Sequence, residues 1–278
     1  MDFGTNNVLI TGANGWLGKT FINSLLYGLK ECDDLKNPQK NLKIKCLLHP
    51  AESLEIQMKN IKNIEIVYGD ITNFEDCNNF TLNEKNAILF HCAGIIHPKK
   101  VKDFFDINVK GMKNLILSSI NNGIKKIIAI SSNSPCGTNK NNDHLFNEDS
   151  AYNPYLNYGK SKMLMEKLIL KYVSKGDIQS TIIRPPWFYG PYQPNRQNKF
   201  YRMIKDGTVP IIGDGLNKRS MACTINISQA MIRAGMAENS NGNIYWIADN
   251  YPYTFMEIIN TIREVMKNEF GIICKDTH

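Results

Sequence analysis

Short apolar, β-branched runs alternate along the chain with stretches whose apolar residues recur every three or four positions. Runs at 7–11, 43–48 (KIKCLL), 64–68 (IEIVY), 87–91 (AILFH), 125–131 (KKIIAIS), 178–184 (IQSTIIR) and 244–248 (IYWIA) predict buried strands. Helical spacing predicts helices over about 16–30, 101–122, 155–175, 228–238 and 254–268. Strands buried on both faces and separated by helices build a parallel sheet covered on both sides. Polar loops at 31–41 and 133–154 interrupt the pattern, and loops as long as the second are often functional. From residue 185 onward Pro and Gly become frequent and the alternation breaks down. The expected organisation is a main domain of 1–184 plus 226–249, with a small substrate-facing lobe of 185–225 plus 250–278.

The stretch "VLITGANGWLG" (8–18) has two readings. Asn14-Gly15 is a strong hairpin signal, because a type I′ turn needs positive φ at both central residues. A hairpin, however, needs a second alternating strand. After this turn the chain instead carries Leu17, Phe21, Ile22, Leu25, Leu26 and Leu29, a helical stripe. The order strand, Gly-rich turn, helix aims backbone amides and a helix N-terminus outward, which suits a pyrophosphate. Gly12 permits the turn, Gly15 lets backbone approach the phosphates, and Gly18 lets helix pack on strand. Asn14, Trp16 and Leu17 complete the expected cofactor loop. The fold class this implies is α/β, a Rossmann-type doubly wound parallel sheet with a small C-terminal substrate lobe.

Composition narrows the class without changing it. The 278 residues are 42% hydrophobic and 21% charged, as in an ordinary soluble domain. No apolar run is long enough to span a bilayer, and the N-terminus lacks a signal-peptide pattern. Seven cysteines without a CxxC pair point to a reducing, cytoplasmic setting with buried thiols. Five histidines without ligand spacing give no metal site. The net charge of +7 is spread over scattered lysines, with no dense basic run to grip nucleic acid.

"YLNYGKSKMLMEKLIL" (155–170) places Tyr158 and Lys162 four apart, stacked on one helix face. A tyrosine near its ordinary pKa of about 10 is a poor base at neutral pH. A lysine ammonium one turn away favours the phenolate, so the pair can take a proton from a hydroxyl or return one to a carbonyl. Taken alone, such a pair is an ordinary surface feature. "IAISSNSPCG" (128–137) changes that, because an apolar strand ending in Ser131 and Ser132 puts a hydroxyl at the carboxyl edge where open α/β sheets bind ligands.

With these residues in view, the sequence resembles the extended short-chain dehydrogenase/reductases, in the NAD(P)-dependent epimerase/dehydratase group. "TGANGWLG" looks like the cofactor loop of that family. "YGDITN" resembles its adenine-contacting segment, with Asp70 and Ile71. "HCAGI" is similar to the loop over the cofactor ribose, with Cys92, Ala93 and Gly94, and "INVKGMKNLI" to the helix carrying a buried asparagine, Asn108. "ISSNSPCG" with "YGKSK" resembles the catalytic triad, which maps to Ser132, Tyr158 and Lys162; counting back from Gly137 selects Ser132 over Ser131. "RPPWFYGP" resembles the segment beside the nicotinamide, with Pro185, and "GDGLNKRSMACTIN" the lobe in which Arg219 reaches a nucleotide diphosphate.

The departures carry information too. The 4,6-dehydratases of the group follow the catalytic hydroxyl with Asp-Glu. Here Asn133 and Ser134 stand there, and neither can move a proton at a sugar carbon. Asn133 is left as a substrate contact. Ile225-Asn226 replaces a common Asp-Asp. The chain ends soon after 254–268, where relatives commonly continue, which implies a minimal lobe or a truncated chain.

For the cofactor, a carboxylate ending the second strand marks NAD and repels a 2′-phosphate. Asp33 and Asp34 lie at about that distance from the glycines but precede 43–48, which ends in His49-Pro50 with Lys45 nearby. The expectation leans to NADP, with NAD as the alternative and His49 as a 2′-phosphate contact. The expected function is epimerisation or keto-reduction of a nucleotide-activated sugar. A hydroxysteroid-type or small-alcohol dehydrogenase is the alternative, and a catalytically silent cofactor-binding regulator the third reading. The expected partners are a nucleotide-sugar substrate and a second copy in a homodimer, with neither nucleic acid nor membrane.

Overall fold

The computed structural model describes residues 1–52, 61–141 and 143–276. Seven parallel strands form its centre: β1 (Asn7–Thr11), β2 (Lys43–Leu48), β3 (Ile64–Tyr68), β4 (Ile88–His91), β5 (Lys126–Ile130), β6 (Gln179–Arg184) and β10 (Ile244–Trp246). Their order is β10-β6-β5-β4-β1-β2-β3. The chain winds outward from β1 to β3, then returns to place β4 on the other side of β1. That reversal opens a crevice above the carboxyl ends of β1 and β4, where doubly wound sheets bind ligands.

Alternation along the strands divides the core into two faces. Val8, Ile10, Phe90 and Ile128 pack with Phe21 and Leu25 of α1 (Trp16–Tyr27) and Met231 of α7 (Thr224–Met236). Leu9, Leu89 and Ile127 face the other way, onto Phe80 of α2 (Phe74–Thr81), Leu115 of α4 (Gly111–Asn122) and Met165 of α5 (Leu156–Ser174).

The helical pattern at 101–122 is not one regular helix. α3 (Val101–Phe105) passes into a π turn over Asp106–Lys110 before α4 begins. The wider turn carries Asn108, which is fully buried and donates through Nδ2 to Ser161 Oγ at 2.9 Å on α5. The first helix stops at Tyr27, three residues earlier than its apolar stripe implies. Gly28 turns to φ 76°, and a Cβ there would lie 2.0 Å from the Lys36 carbonyl oxygen.

Beyond β6, β7 (Trp187–Tyr189) pairs with β9 (Met221–Cys223), and β8 (Lys218–Arg219) pairs with β11 (Tyr253–Thr254). α6 (Asn198–Lys205) and α8 (Phe255–Phe270) enclose a separate small core of Ile204, Val209 and Ile259. Among the described residues, no helix is long and apolar enough to cross a membrane.

Candidate active site

One cleft of about 1290 Å³ opens over the sheet's carboxyl edge. Gly12, Asn14, Gly15, Trp16, Leu17 and Gly18 line one wall. Gly12 has φ 72°, and a Cβ on it would lie 2.5 Å from the Ala93 nitrogen, so β4's exit presses directly on the loop. A Cβ on Gly18 would lie 2.1 Å from the Gly12 carbonyl oxygen, which fixes α1 against the same turn. At Gly15 a Cβ would meet only that oxygen, at 3.1 Å, and its other side is open to the cleft. No side chain caps α1 at Gly15. The first amides of the helix are thus donors turned toward the cleft, and this cradle fits a dinucleotide pyrophosphate.

Ser132, Tyr158 and Lys162 line the cleft together. Ser132 Oγ lies 3.1 Å from Asn133 Oδ1 and 3.2 Å from Ser134 Oγ. Ser131, the other serine of the strand end, points away and donates to the buried carboxylate of Glu166. Lys162 is buried, and its ammonium donates to the Ile130 carbonyl at 2.9 Å. Gly94 brings backbone close to it, since a Cβ there would lie 3.2 Å from Lys162 Nζ and 3.3 Å from Asn108 Oδ1.

The electrostatics correct one expectation. Burial pushes the Tyr158 phenol up to about 12, and the Ser132 hydroxyl is what opposes it. Burial also brings the Lys162 ammonium down to about 8. One helical turn of proximity does not by itself make Tyr158 acidic, because desolvation penalises both charges and Lys162 is directed at Ile130. At the end of β4, burial holds the neighbouring His91 neutral, its pKa near 3, and the ring binds Thr11 Oγ1 at 2.7 Å.

The facing wall holds the expected Arg219 together with residues beyond those expected. Arg219 lies 4.6 Å over the Trp187 ring, and Arg196 and Lys218 line the cleft with it. Phe146, from the long polar loop, stacks on Trp246 at 5.5 Å with the rings 6° from parallel, and Trp246 Nε1 donates to the Asn147 carbonyl at 2.8 Å. Asp249 accepts from the Tyr189 hydroxyl at 2.9 Å and the Tyr253 hydroxyl at 3.2 Å. Nothing in the local spacing of Arg196, Phe146 or Asp249 marks them in the sequence, because three distant segments bring them to one rim.

Cys92, Gly94, Asn133 and Pro185 line the cleft, whereas His49, Asp70, Ile71, Ala93 and Asn108 do not. His49 and Asp70 sit together at the ends of β2 and β3, His49 Nε2 lying 3.8 Å from Asp70 Oδ2. Ile71 gives its carbonyl to Asn114 at 2.9 Å and packs its side chain where a Cβ on Gly111 would be. Lys45, expected near a 2′-phosphate, instead pairs with Glu84 at 3.1 Å and Glu65 at 3.8 Å. Asp34 pairs with Arg233 at 2.9 Å, at the far end of α7, and Asp33 with Lys36. Neither aspartate stands at the end of β2. Among the described residues no cluster of His, Cys, Asp and Glu could hold a metal.

The 3-beta hydroxysteroid dehydrogenase/isomerase family matches the chain over residues 9–276. The protein belongs to that family. It is thereby an extended short-chain dehydrogenase/reductase of the NAD(P)-dependent epimerase/dehydratase group, as the motif order implies. Among its relatives, "Uncharacterized protein y4nL" of Sinorhizobium fredii is 40% identical over 96% of this chain and 74% of its own. The N-acetyl-alpha-D-glucosaminyl-diphospho-ditrans,octacis-undecaprenol 4-epimerase of Escherichia coli O157:H7 is 32% identical over 60% of this chain and 54% of its own. The UDP-glucose 4-epimerase of Mycolicibacterium smegmatis is 29% identical, over 82% and 72%. Among solved structures, a dTDP-glucose 4,6-dehydratase of Streptomyces venezuelae with NAD bound superposes with TM-score 0.79 at 21% identity, over 97% of this chain and 84% of that one. At that identity the likeness is one of fold.

Proposed function

We propose that the protein is an NAD(P)-dependent oxidoreductase or epimerase acting on the sugar of a nucleotide-activated sugar. The observation that carries this reading is the shared cleft. Ser132, Tyr158 and Lys162 lie on one side, beside the Gly12–Gly18 loop, and Arg196, Lys218 and Arg219 line the other. Three cations facing a proton-transfer group suit a substrate whose reacting sugar hangs from a diphosphate.

The roles follow from where the side chains sit. Ser132 holds the reacting oxygen and orients Tyr158. Tyr158 takes the proton from a carbinol or returns it to a keto group. Lys162, fixed on the Ile130 carbonyl, supplies positive charge beneath the phenol. The loop amides and the uncapped start of α1 hold the pyrophosphate of the cofactor, which when bound supplies a hydride acceptor or donor. Asn133 and Ser134 offer no acid or base for eliminating water, which argues against dehydration. The adenosine end lies at His49 and Asp70. With neither Asp33 nor Asp34 at the end of β2, we assign NADP as the preferred cofactor and His49 as its 2′-phosphate contact. The chain is further proposed to work as a homodimer in the cytoplasm.

A second reading is a hydroxysteroid-type dehydrogenase using the same triad. The family match favours it, as do exposed Ile96 and Leu145 on the cleft lining. A yeast sterol-4-alpha-carboxylate 3-dehydrogenase is 25% identical over 92% of this chain and 74% of its own. Purified protein offered nucleotide sugars and 3β-hydroxysteroids in parallel, followed at the nicotinamide absorbance and by sugar analysis, separates the two. Turnover confined to the steroids would replace the sugar-nucleotide reading.

A further inference from the structure

Asp249 stands three residues beyond β10, the strand at one edge of the sheet. Its half-buried side chain lines the same cleft as Arg196, Lys218 and Arg219. Tyr189 and Tyr253 both donate to one of its oxygens, Oδ2, at 2.9 and 3.2 Å. Burial, and then the Asp249 carboxylate, push the Tyr189 phenol up, so this hydroxyl stays a donor. The Asp249 amide donates to the Met221 carbonyl at 2.8 Å. Backbone and carboxylate are thus both held, and none of these bonds uses Oδ1. Among the described residues no ion pair joins Asp249 to Arg196, Lys218 or Arg219, so it is not consumed as their counter-ion. A carboxylate accepts through both oxygens, which leaves one oriented acceptor for a donor that enters the cleft.

The strands decide what lies beside it. Met221, which holds the Asp249 amide, is the register partner of Trp187, and Arg219 lies 4.6 Å over the Trp187 ring. Tyr253, which holds the carboxylate, is the register partner of Arg219 itself. Two independent paths therefore bring Asp249 next to Arg219. Across the sheet, β10 stands two strands from β5, whose end carries Ser132, and β1 with the Gly12–Gly18 loop stands two strands away on the other side. At the usual strand spacing each offset is about 10 Å. Asp249 is thus on the side of the triad opposite the cofactor loop, within the span of a sugar ring and the group attached to it.

A guanidinium only donates and suits a phosphate, whereas an ionised carboxylate only accepts. Side by side they match a phosphate ester of a polyol, the cation taking phosphate oxygens and the carboxylate taking hydroxyl protons. We propose that Asp249 is a specificity-determining residue whose Oδ1 accepts from a vicinal diol of the substrate, on the sugar or on the nucleoside ribose. The ring system of a 3β-hydroxysteroid would instead set hydrocarbon against this carboxylate and desolvate it without a partner. The inference rests on the sugar-nucleotide reading and adds the group that tells a polyol from a bare diphosphate.

The test measures binding to the whole, cofactor-loaded protein by calorimetry, with UDP-glucose, UDP, 2′-deoxy-UDP and inorganic pyrophosphate as probes. Asp249→Ala should weaken UDP-glucose tenfold or more, the scale of losing a hydrogen bond to a charged group. Pyrophosphate should bind that variant at least as tightly as before, whereas Arg219→Met should weaken both ligands. If Asp249→Ala weakens UDP but not 2′-deoxy-UDP, the diol is that of the ribose; if it weakens UDP-glucose but not UDP, the diol is that of the sugar. Asp249→Asn keeps an oxygen for the two tyrosines and serves if the alanine variant unfolds, with a smaller loss in the same direction. Tyr189→Phe with Tyr253→Phe removes both tyrosine bonds and keeps the carboxylate. It should lower the thermal midpoint yet lose less affinity for UDP-glucose than Asp249→Ala. Unchanged UDP-glucose affinity in a folded Asp249 variant, or an equal loss of pyrophosphate, would overturn the inference and leave Asp249 a structural tie between β7 and β11. An unaltered protein that binds pyrophosphate as tightly as UDP-glucose would overturn it too. The underlying reading fails separately, if the unaltered protein binds none of the probes and turns over only 3β-hydroxysteroids.

Discussion

At the scale of single residues, burial sets the chemistry as much as proximity does. Tyr158 and Lys162 are each moved toward their neutral forms, to about 12 and about 8. A buried pair of this kind gains from further positive charge beside the phenol, such as a cationic nicotinamide ring would supply. Lys162→Met should therefore weaken cofactor binding as well as turnover, seen in a fluorescence titration that exploits Trp16, Trp187 and Trp246 on the cleft wall. Ser132→Ala should lower turnover with a milder effect on binding. His91 gives a prediction about stability. Its pKa falls from 6.5 to about 3 on folding, so the unfolded chain binds its proton first. The stability His91 contributes is complete above pH 6.5 and drains away as pH falls toward about 3. In His91→Gln the thermal midpoint should fall less steeply across that window, and an equal slope would show that another group controls the acid side.

Elements place those residues, and their legibility in the sequence was uneven. Gly15→Val puts a branched side chain where α1's uncapped amides face the cleft, so dinucleotide affinity should be lost while the thermal midpoint is nearly kept. Unchanged affinity would move the pyrophosphate elsewhere. Asn73 caps α2 by accepting from the Glu75 amide at 2.9 Å. Asn73→Ala should cost about 0.5–2 kcal/mol of stability, read from denaturant unfolding, without touching cofactor affinity. The strands of the sheet could be read as short apolar, β-branched runs; central β4 and β5 are buried along their whole length, whereas the edge strands β3 and β10 still expose Glu65 and Tyr245. α2 was hidden, since its apolar face is only Phe74, Cys77 and Phe80 among polar residues. α6 was hidden for a similar reason, with only Ile204 fully buried. The Gly-rich turn and the Tyr-Lys pair could be read because each is local. Glu166 with Arg184, and Arg196, could not, because their partners meet only once β5, β6 and the 185–225 segment are folded together.

The whole molecule joins a cradle for a dinucleotide to a cationic wall across one cleft, and the proposed function puts its selectivity at the two ends. At the proposed adenosine end, Asp33 and Asp34 are committed to Lys36 and Arg233 rather than placed at the end of β2, where His49 instead meets Glu52 at 3.3 Å and Asp70 at 3.8 Å. NADPH should bind at least as tightly as NADH; a tenfold preference for NADH would remove His49 from the assignment. At the substrate end, Arg196, Lys218 and Arg219 should make binding of a diphosphate-linked sugar weaken as salt rises, through screening of exposed charge. Every role assigned in the cleft depends on Tyr158 moving the proton. Comparing the unaltered protein with Tyr158→Phe on the sugar nucleotide found to turn over isolates that step, since the change removes one oxygen and leaves packing and cofactor binding in place. Turnover should fall by at least ~10²-fold, the scale of losing a general acid or base, with cofactor affinity unchanged. Turnover near that of the unaltered protein would contradict this role and reduce Tyr158 and Lys162 to an ordinary pair on a helix.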